Sequence, residues 1–233
     1  MADGNGRPEP ADGRAARWAG QRDKRRAEIV RAAVVAIGEH GPGVSTGQIA
    51  TAAGIARPAL YRRFTDAQDL HDAVARHIAT LFITELAPVL TEPTGSARDT
   101  ITRAVNSFVR WLTDNTSLYH YVVSRPAETH SDHPPAIADV RNTISLLLRD
   151  LLAGYLTVFE RDTHAADPLA FGLVGLVESA TARWLEAPHP FDRDGLIAQL
   201  SAWIWGLLDT VLRGEGMVLD PDRPLPELPN HAD

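Results

Sequence analysis

A short basic segment with one tyrosine among its arginines offers the clearest chemistry in this sequence. Guanidinium groups and a tyrosine hydroxyl can bind phosphate oxygens, and an arginine can also form two hydrogen bonds to the edge of a guanine. The side chains of this segment that we expect on the outer face of one short helix are Arg57, Ala59, Tyr61, Arg62 and Arg63. A basic helix of this kind suits the major groove of double-stranded DNA.

The charge of the chain supports this interpretation because it is divided unevenly. The whole chain carries a net charge of −7, which taken alone would argue against a polyanionic partner. Residues 14–63, however, contain ten basic and three acidic side chains, a balance of +7. Removing that +7 from the whole-chain value leaves −14 for the other residues. Only the N-terminal part is therefore suited to contact with a polyanion.

The composition excludes several other classes of protein. The absence of cysteine excludes a disulfide scaffold, thiol catalysis and cysteine-bound zinc. Residues 1–20 are polar and do not form a secretory signal, and no uninterrupted apolar run has the length of a membrane span. No phosphate-binding glycine loop or nucleophile motif is present. We expect a cytoplasmic protein without catalytic residues, cofactor, metal or membrane contact.

The spacing of apolar residues predicts an all-α fold. Apolar residues recur at helical spacing and almost never alternate as in strands. We expect helices near residues 22–40, 45–53, 56–64, 66–87, 97–114, 116–124, 135–160, 168–186 and 192–213. Pro88 is expected to end the fourth helix. We expect four regions along the chain: a disordered polar and basic tail over 1–20, a DNA-binding domain over 21–65, a larger helical domain over 66–213, and a proline-rich tail over 214–233.

The segment 45–64 has the pattern of a helix-turn-helix. Ser45 with Gln48 three residues later is typical of a capping box that begins a helix. Ala53 and Gly54 are small enough for a tight turn, and Pro58 fits the first turn of the next helix. Two such short helices must share a core with the helix before them.

On these residues the segment resembles the DNA-binding domain of the TetR family of bacterial transcriptional regulators. The resemblance covers about residues 24–76 and includes Ile49-Ala50, Ala53-Gly54-Ile55, Leu60-Tyr61, Phe64 and Leu70. It implies a three-helix DNA reader, a divergent helical ligand-binding domain, and a homodimer joined by the last two main helices.

The resemblance also implies roles for individual residues. Ser45 and Thr46 match phosphate-contacting positions, Tyr61 matches the family's phosphate-contacting aromatic, and Arg57 is the leading candidate for a contact to a base. Ala67 departs from the family pattern, because a lysine usually meets phosphate there. The residues expected to contact DNA are Arg25, Arg26, Ser45, Thr46, Arg57, Pro58, Ala59, Tyr61, Arg62 and Arg63.

The last two main helices carry apolar residues around more than half of their circumference. A surface helix of a monomer has one apolar stripe, so we expect a second apolar face to meet a symmetry-related copy. The alternative is that both helices are buried within one subunit. The residues expected at the interface are Leu173, Val177, Trp184, Leu200, Trp203, Ile204, Leu207, Leu208 and Val211.

Aromatic and misplaced polar residues in the larger domain are candidates for an effector pocket. They are Phe82, Phe108, Trp111, Tyr119, Tyr121, Arg125, Phe159, Phe171 and Glu178. Ordinary core packing is the alternative for each aromatic. Glu178, in an apolar run, either faces a cavity, pairs with Arg183 or another group, or lies at the edge of the interface.

Two functions remain open on the sequence. The first is a homodimeric regulator, expected to be a repressor, that a small and largely apolar molecule releases from a palindromic operator. The second is a helical small-molecule-binding protein or enzyme that keeps the helix-turn-helix only for packing. The outward arginines and tyrosine favour the first.

Overall fold

The computed structural model describes residues 11–123, 136–186 and 191–228. The expected all-α class is confirmed, and within these ranges the only strand-like pairing is an isolated bridge between Ser96 and Pro224. The helices are α1 (Ala11–His40), α2 (Thr46–Ala52), α3 (Arg57–Leu60), α4 (Ala67–Thr91), α5 (Ala97–Asp114), α6 (Thr116–Val123), α7 (Ala136–Val158), α8 (Ala166–Glu186) and α9 (Arg193–Gly214).

The chain divides into two compact units between His77 and Ile78, inside α4 rather than at the expected boundary after residue 65. In the first unit α1, α2, α3 and the start of α4 enclose a small core. Its buried side chains include Ile29, Ala33, Ile37, Ile49, Leu60, Phe64, Leu70 and Val74. In the second unit α7 packs along α8, and α5 packs along α9.

Three predicted helix ends were wrong. Helix α3 ends at Leu60 and not near Phe64, because residues 61–63 continue as turns and not as α-helix. Helix α1 begins at Ala11 and not near Arg22, because residues 11–21 are rich in alanine and arginine and two glycines cost only about 1 kcal/mol each in a helix. Helix α4 continues through Pro88 to Thr91, since burial of Leu90 holds its last turn against the core and the Glu92 N–H still donates to the Pro88 carbonyl.

The predicted domain boundaries assign residues 214–233 to a proline-rich tail. In the structure, the part of this segment over residues 217–228 is paired with the start of α5. The Leu225 N–H donates to the Gly95 carbonyl at 2.9 Å, and the Arg98 N–H donates to the Pro221 carbonyl at 3.0 Å. Composition alone predicted a tail because proline disfavours helix and strand. Proline does not, however, prevent an extended segment from accepting the hydrogen bond of the Arg98 N–H, one of the N–H groups without a partner inside helix α5.

Two helices, α4 and α9, have the length and mean hydropathy of a membrane span, although neither is an uninterrupted apolar run. In α4 the apolar residues Leu70, Val74 and Ile78 are buried in the protein. Core helices of proteins outside membranes can have the same length and mean hydropathy, so these two helices do not indicate a membrane protein.

Candidate functional site

The helix-turn-helix is built by local interactions that the sequence encodes. Ser45 Oγ accepts a hydrogen bond from the Gln48 N–H at 3.2 Å, and Gln48 Oε1 accepts one from the Ser45 N–H at 2.9 Å. This capping box begins α2. Gly54 makes the turn at a φ of +65°, a conformation that glycine adopts without strain.

Helix α3, the second helix of the helix-turn-helix and here called the recognition helix, is held in place by two large apolar residues. Leu60 and Phe64 are almost completely buried. Arg57, Tyr61, Arg62 and Arg63 are exposed, as expected. Pro58 is exposed as well, and Ala59 is only half-buried. Because α3 is only one turn long and is followed by a second turn through Phe64, its outer surface is a compact basic patch.

Two hydroxyl groups meet at the edge of this patch. The Tyr61 hydroxyl donates to Thr46 Oγ1 at 3.5 Å, which brings the start of α2 beside α3. The hydrogen bonds with Thr46 and Arg57 lower the pKa of Tyr61. The Arg57 guanidinium lies 5.9 Å from the centre of the Tyr61 ring. Thr46, Tyr61 and Arg57 therefore form a cluster with the chemistry to hold a phosphate and reach a neighbouring base edge.

Arg26 is held within the protein and is not presented to solvent as Arg25 is. Its guanidinium donates to both carboxylate oxygens of Asp69, at 2.5 and 3.1 Å, and to the Arg63 carbonyl at 2.8 Å. It also lies 4.2 Å from the centre of the Phe64 ring. These contacts join α1 to the end of the recognition segment and to the first turn of α4. A structural role therefore fits Arg26 better than the DNA contact predicted from the charge run, and the reason is tertiary pairing with Asp69.

Replacing Asp69 by asparagine should destabilise the first unit by about 1–3 kcal/mol at neutral pH, because the partly buried Arg26 loses its charged partner. The hydrogen bond from Arg26 is the main cause that lowers the pKa of Asp69 below 3.8. The contribution of the pair to stability is therefore complete above that pH and is lost as the pH falls through the folded-state pKa. The difference in stability between the unchanged protein and the Asp69→Asn variant should therefore become smaller in acid.

Amide hydrogen exchange in α1 to α3, measured at decreasing pH, tests this prediction. Asp72→Asn is the matched control, since the Asp72 carboxylate accepts a hydrogen bond from Gln68 on its own helix at 2.8 Å and does not join α4 to α1. Equal exchange rates in the two variants would contradict the structural role of the pair.

The second unit contains an apolar cavity of about 170 Å³. Its walls come from the end of α4, from α5, α7, α8 and α9, and from the segment after α9. Few polar groups occur in these walls, among them the Thr100 and Tyr155 hydroxyls and the Trp205 indole. Burial raises the pKa of Tyr155, as expected in such surroundings.

A second, smaller cavity of about 50 Å³ adjoins the first. Phe108, Ile144 and Val174 line both cavities. The Phe82 ring meets Phe108 edge-on with centroids 5.4 Å apart, and it lies 4.7 Å from Trp111. These three aromatic rings form part of the wall of the second cavity.

The predicted pocket residues are distributed as follows. Phe108 and Phe159 line the larger cavity, and Phe82, Phe108, Trp111, Tyr119 and Glu178 line the smaller one. Tyr121 is buried away from both, Phe171 is an exposed residue of α8, and Arg125 lies outside the described residues. Sequence reasoning missed the aliphatic majority of the walls, because a leucine that faces a cavity and one that packs in a core have the same spacing.

Glu178 pairs with another group, as one alternative expected, and that group is Arg141 of α7 rather than Arg183. Arg141 donates to both carboxylate oxygens, at 2.7 and 2.9 Å, and this bonding raises the pKa of Arg141. Arg183 lies instead 4.0 Å from Glu186. The ion pair supplies the partner that a partly buried carboxylate requires, so no ligand is needed to account for Glu178.

The predicted interface residues fall into two groups. Leu173, Val177, Leu200 and Ile204 are buried within this subunit, so they cannot also face a partner. Trp203 and Leu207 are exposed, at 46% and 47%, and Trp184, Leu208 and Val211 are half-buried. Both helices are two-sided as expected, but the sequence could not show which apolar face points inward.

Comparison with known proteins agrees with this geometry. Residues 29–74 match the family model described as bacterial regulatory proteins, tetR family. The chain is 29% identical over 207 residues, 88% of this chain and 86% of the relative, to an uncharacterized HTH-type transcriptional regulator, Rv0472c, of Mycobacterium tuberculosis. It is 25% identical to the HTH-type transcriptional activator FasR of Mycolicibacterium smegmatis, over 90% of this chain and 94% of that one.

Solved structures share the fold. A tetR-family regulator from Streptomyces coelicolor aligns with a TM-score of 0.65 at 19% identity, over 83% of this chain and 84% of that one. The regulator FadR from Bacillus subtilis aligns with a TM-score of 0.58 at 17% identity, over 76% of this chain and 96% of that one. The helix-turn-helix with its outward basic patch lies within the residues that match the tetR family model, and over most of its length the chain is similar to HTH-type transcriptional regulators of bacteria.

Proposed function

We propose that this DNA-binding regulator acts as a homodimer on a palindromic operator and that a molecule with a long apolar part releases it. The observation that carries the DNA-binding role is the outward cluster of Arg57, Tyr61 and Thr46 on an internally packed helix-turn-helix. Pure packing would not require exposed arginines around an exposed tyrosine. We further propose that the protein works in the bacterial cytoplasm, on the nucleoid when bound to DNA.

The homodimer is supported by the outer faces of α8 and α9. On α9 the exposed residues Ala202, Trp203, Gly206 and Leu207 lie on one side, and Gly172 and Ser179 of α8 are exposed as well. Small residues let helices approach closely, and two large apolar residues gain most from being covered. Two subunits paired through these helices would present two recognition helices, about 34–36 Å apart, to successive major grooves.

The effector site is proposed to be the larger cavity. Its walls are almost wholly carbon, so a hydrocarbon chain is the class of group that can enter without leaving polar atoms unpaired. The structure of Bacillus subtilis FadR was solved in complex with stearoyl-CoA, which supports the same class of ligand. We therefore propose a fatty acyl compound, with its chain inside the cavity and its polar group outside.

The coupling between effector and DNA is proposed to run through α4. This helix contributes Asp69 to the first unit and Leu86 and Leu90 to the cavity wall of the second. Such couplings are typically about 1–3 kcal/mol. We propose repression relieved by the effector. FasR is named an activator, so whether this protein represses or activates its genes has to be measured separately, in a transcription assay.

Fluorescence anisotropy with DNA selected from a random pool tests this proposal. We expect the selected DNA to share a palindromic consensus. We also expect stearoyl-CoA, but not coenzyme A alone, to release the protein from this DNA. Failure to bind any duplex at low salt would favour the second interpretation, in which the helix-turn-helix only packs.

Filling the cavity should abolish the effector response while sparing DNA binding. Ala104 lines the larger cavity, and Ala104→Phe places a ring in the space proposed for the chain. We expect stearoyl-CoA to bind at least about tenfold more weakly, a loss of roughly 1.4 kcal/mol. Ala138→Phe, at an exposed position of α7, is the control. Unchanged release of DNA from the Ala104 variant would place the effector elsewhere.

A further inference from the structure

The segment from Met217 to Leu228, here called the C-terminal strap, completes the wall of the larger cavity. Helix α9 ends where Gly216 adopts a φ of +72° and the Met217 N–H returns to the Leu212 carbonyl at 2.9 Å. The chain then crosses the start of α5. Two strap residues, Leu219 and Leu225, line the cavity together with the helices.

The strap is held against α5 by a short antiparallel pairing. The Arg98 N–H donates to the Pro221 carbonyl, the Leu225 N–H donates to the Gly95 carbonyl, and Ser96 is bridged to Pro224. The same register places the side chains of Arg98 and Asp222 opposite each other. Arg98 Nε donates to the Asp222 carboxylate at 2.6 Å.

A third point of contact lies on α7. A Cβ atom placed on Gly154 would lie 3.3 Å from Leu228 Cδ2, closer than most side-chain contacts. Glycine in the middle of a helix lowers helix stability, so its use here has a local reason. Gly154 leaves the space in which Leu228 lies.

These contacts hold the strap weakly compared with the helical walls. Arg98 and Asp222 are 52% and 65% exposed, and ion pairs this exposed contribute little to stability. Leu219, Leu225 and Leu228 are only half-buried, whereas Leu173 and Ile204 of the helical walls are buried. Segments with few buried apolar contacts open locally more often than packed helices do.

We propose that the C-terminal strap is the removable wall of the effector site: Leu219 and Leu225 contact the bound hydrocarbon chain, and release of the strap from α5 admits it. This inference rests on the proposed effector cavity. It assigns ligand contacts and a route of access to a segment that the sequence presents only as a proline-rich tail.

A reversible crosslink tests the route. The chain contains no cysteine, so the double variant R98C/D222C carries a single possible disulfide, at two positions that face each other across the pairing. When oxidised, the disulfide fastens the strap to α5. When reduced, the same protein is its own control.

The probe is cis-parinaric acid, a naturally fluorescent fatty acid, mixed with the protein in a stopped-flow instrument. We expect its association rate to fall at least about tenfold on oxidation, because the weakest wall can no longer open, and to recover on reduction. Equal rates in the two forms would overturn the strap as the route of access. Binding in no form would overturn the effector cavity itself, and the strap with it.

Two further variants test the contacts. The double variant L219A/L225A keeps the full chain and should bind the probe about tenfold more weakly at equilibrium, since two leucine contacts are lost. Gly154→Ala favours the helix yet crowds Leu228, so probe association should become faster. Gly38→Ala, at a helical glycine with no atom within 4 Å, is the control for helix propensity alone. Unchanged affinity in the L219A/L225A variant would overturn the contact role of Leu219 and Leu225.

Discussion

Replacing Leu207 by glutamate is expected to convert the protein into a monomer and to lower its affinity for operator DNA by more than about a hundredfold. Leu207 is 47% exposed on the outer face of α9, beside Trp203. If this face meets its symmetry mate, the substitution places two carboxylates together in an apolar interface, where neither has a partner. A dimer binds DNA through two recognition helices at once, and this raises its affinity by about two to four orders of magnitude. The monomer loses this gain in affinity.

Sedimentation and DNA titration of the same sample measure the two effects. Val218→Glu is the matched control, since Val218 is 73% exposed and lies outside α8 and α9. This control should remain a dimer with normal DNA affinity. A Leu207 variant that still sediments as a dimer would show that the subunits pair through another surface.

Replacing Arg57 by alanine is expected to relax the sequence preference of the protein. Arg57 is the first residue of α3, is exposed, and its guanidinium lies 5.9 Å from the centre of the Tyr61 ring. Loss of a two-bond contact to guanine typically costs about 1–3 kcal/mol at one position of the site. Affinity for the selected operator should fall by that amount, while affinity for unrelated duplex changes little.

Arg25→Ala provides the contrast. Arg25 is exposed, and its ion pair with Glu28 lies along the surface of α1, where its guanidinium can also meet phosphate. Its loss should weaken binding to all sequences alike and reduce the salt dependence by about one unit of slope. Arg26 is unsuitable for this comparison because its removal disturbs the packing of the unit. Equal losses on operator and unrelated DNA for both variants would contradict the assigned roles.

The helix-turn-helix could be predicted because its signals are local. The capping box of Ser45 and Gln48, the glycine at the turn and the proline at the start of α3 each act within four residues. Arginine and tyrosine between the buried Leu60 and Phe64 can only point outward. For this part of the chain, propensity, capping and apolar spacing favour the same structure.

Other predictions failed where distant residues decide the outcome. Arg26 belongs to a basic run, yet Asp69, 43 positions away, binds it. Pro88 should end a helix, but burial of Leu90 holds another turn in place. The proline-rich C-terminal segment was predicted to be a tail, but the Arg98 N–H at the start of α5 donates to the Pro221 carbonyl, and the Leu225 N–H donates to the Gly95 carbonyl.

The sequence by itself thus determined the all-α class, the helix-turn-helix, its outward basic face and the two-sided character of α8 and α9. These follow from periodicity and from contacts between residues close in the chain. The tertiary structure alone decided which apolar face of α9 points inward, which side chains border a cavity, and which charges are already paired. These features depend on contacts between residues far apart in the chain, and the spacing of residues along one helix does not specify which other helices pack against it.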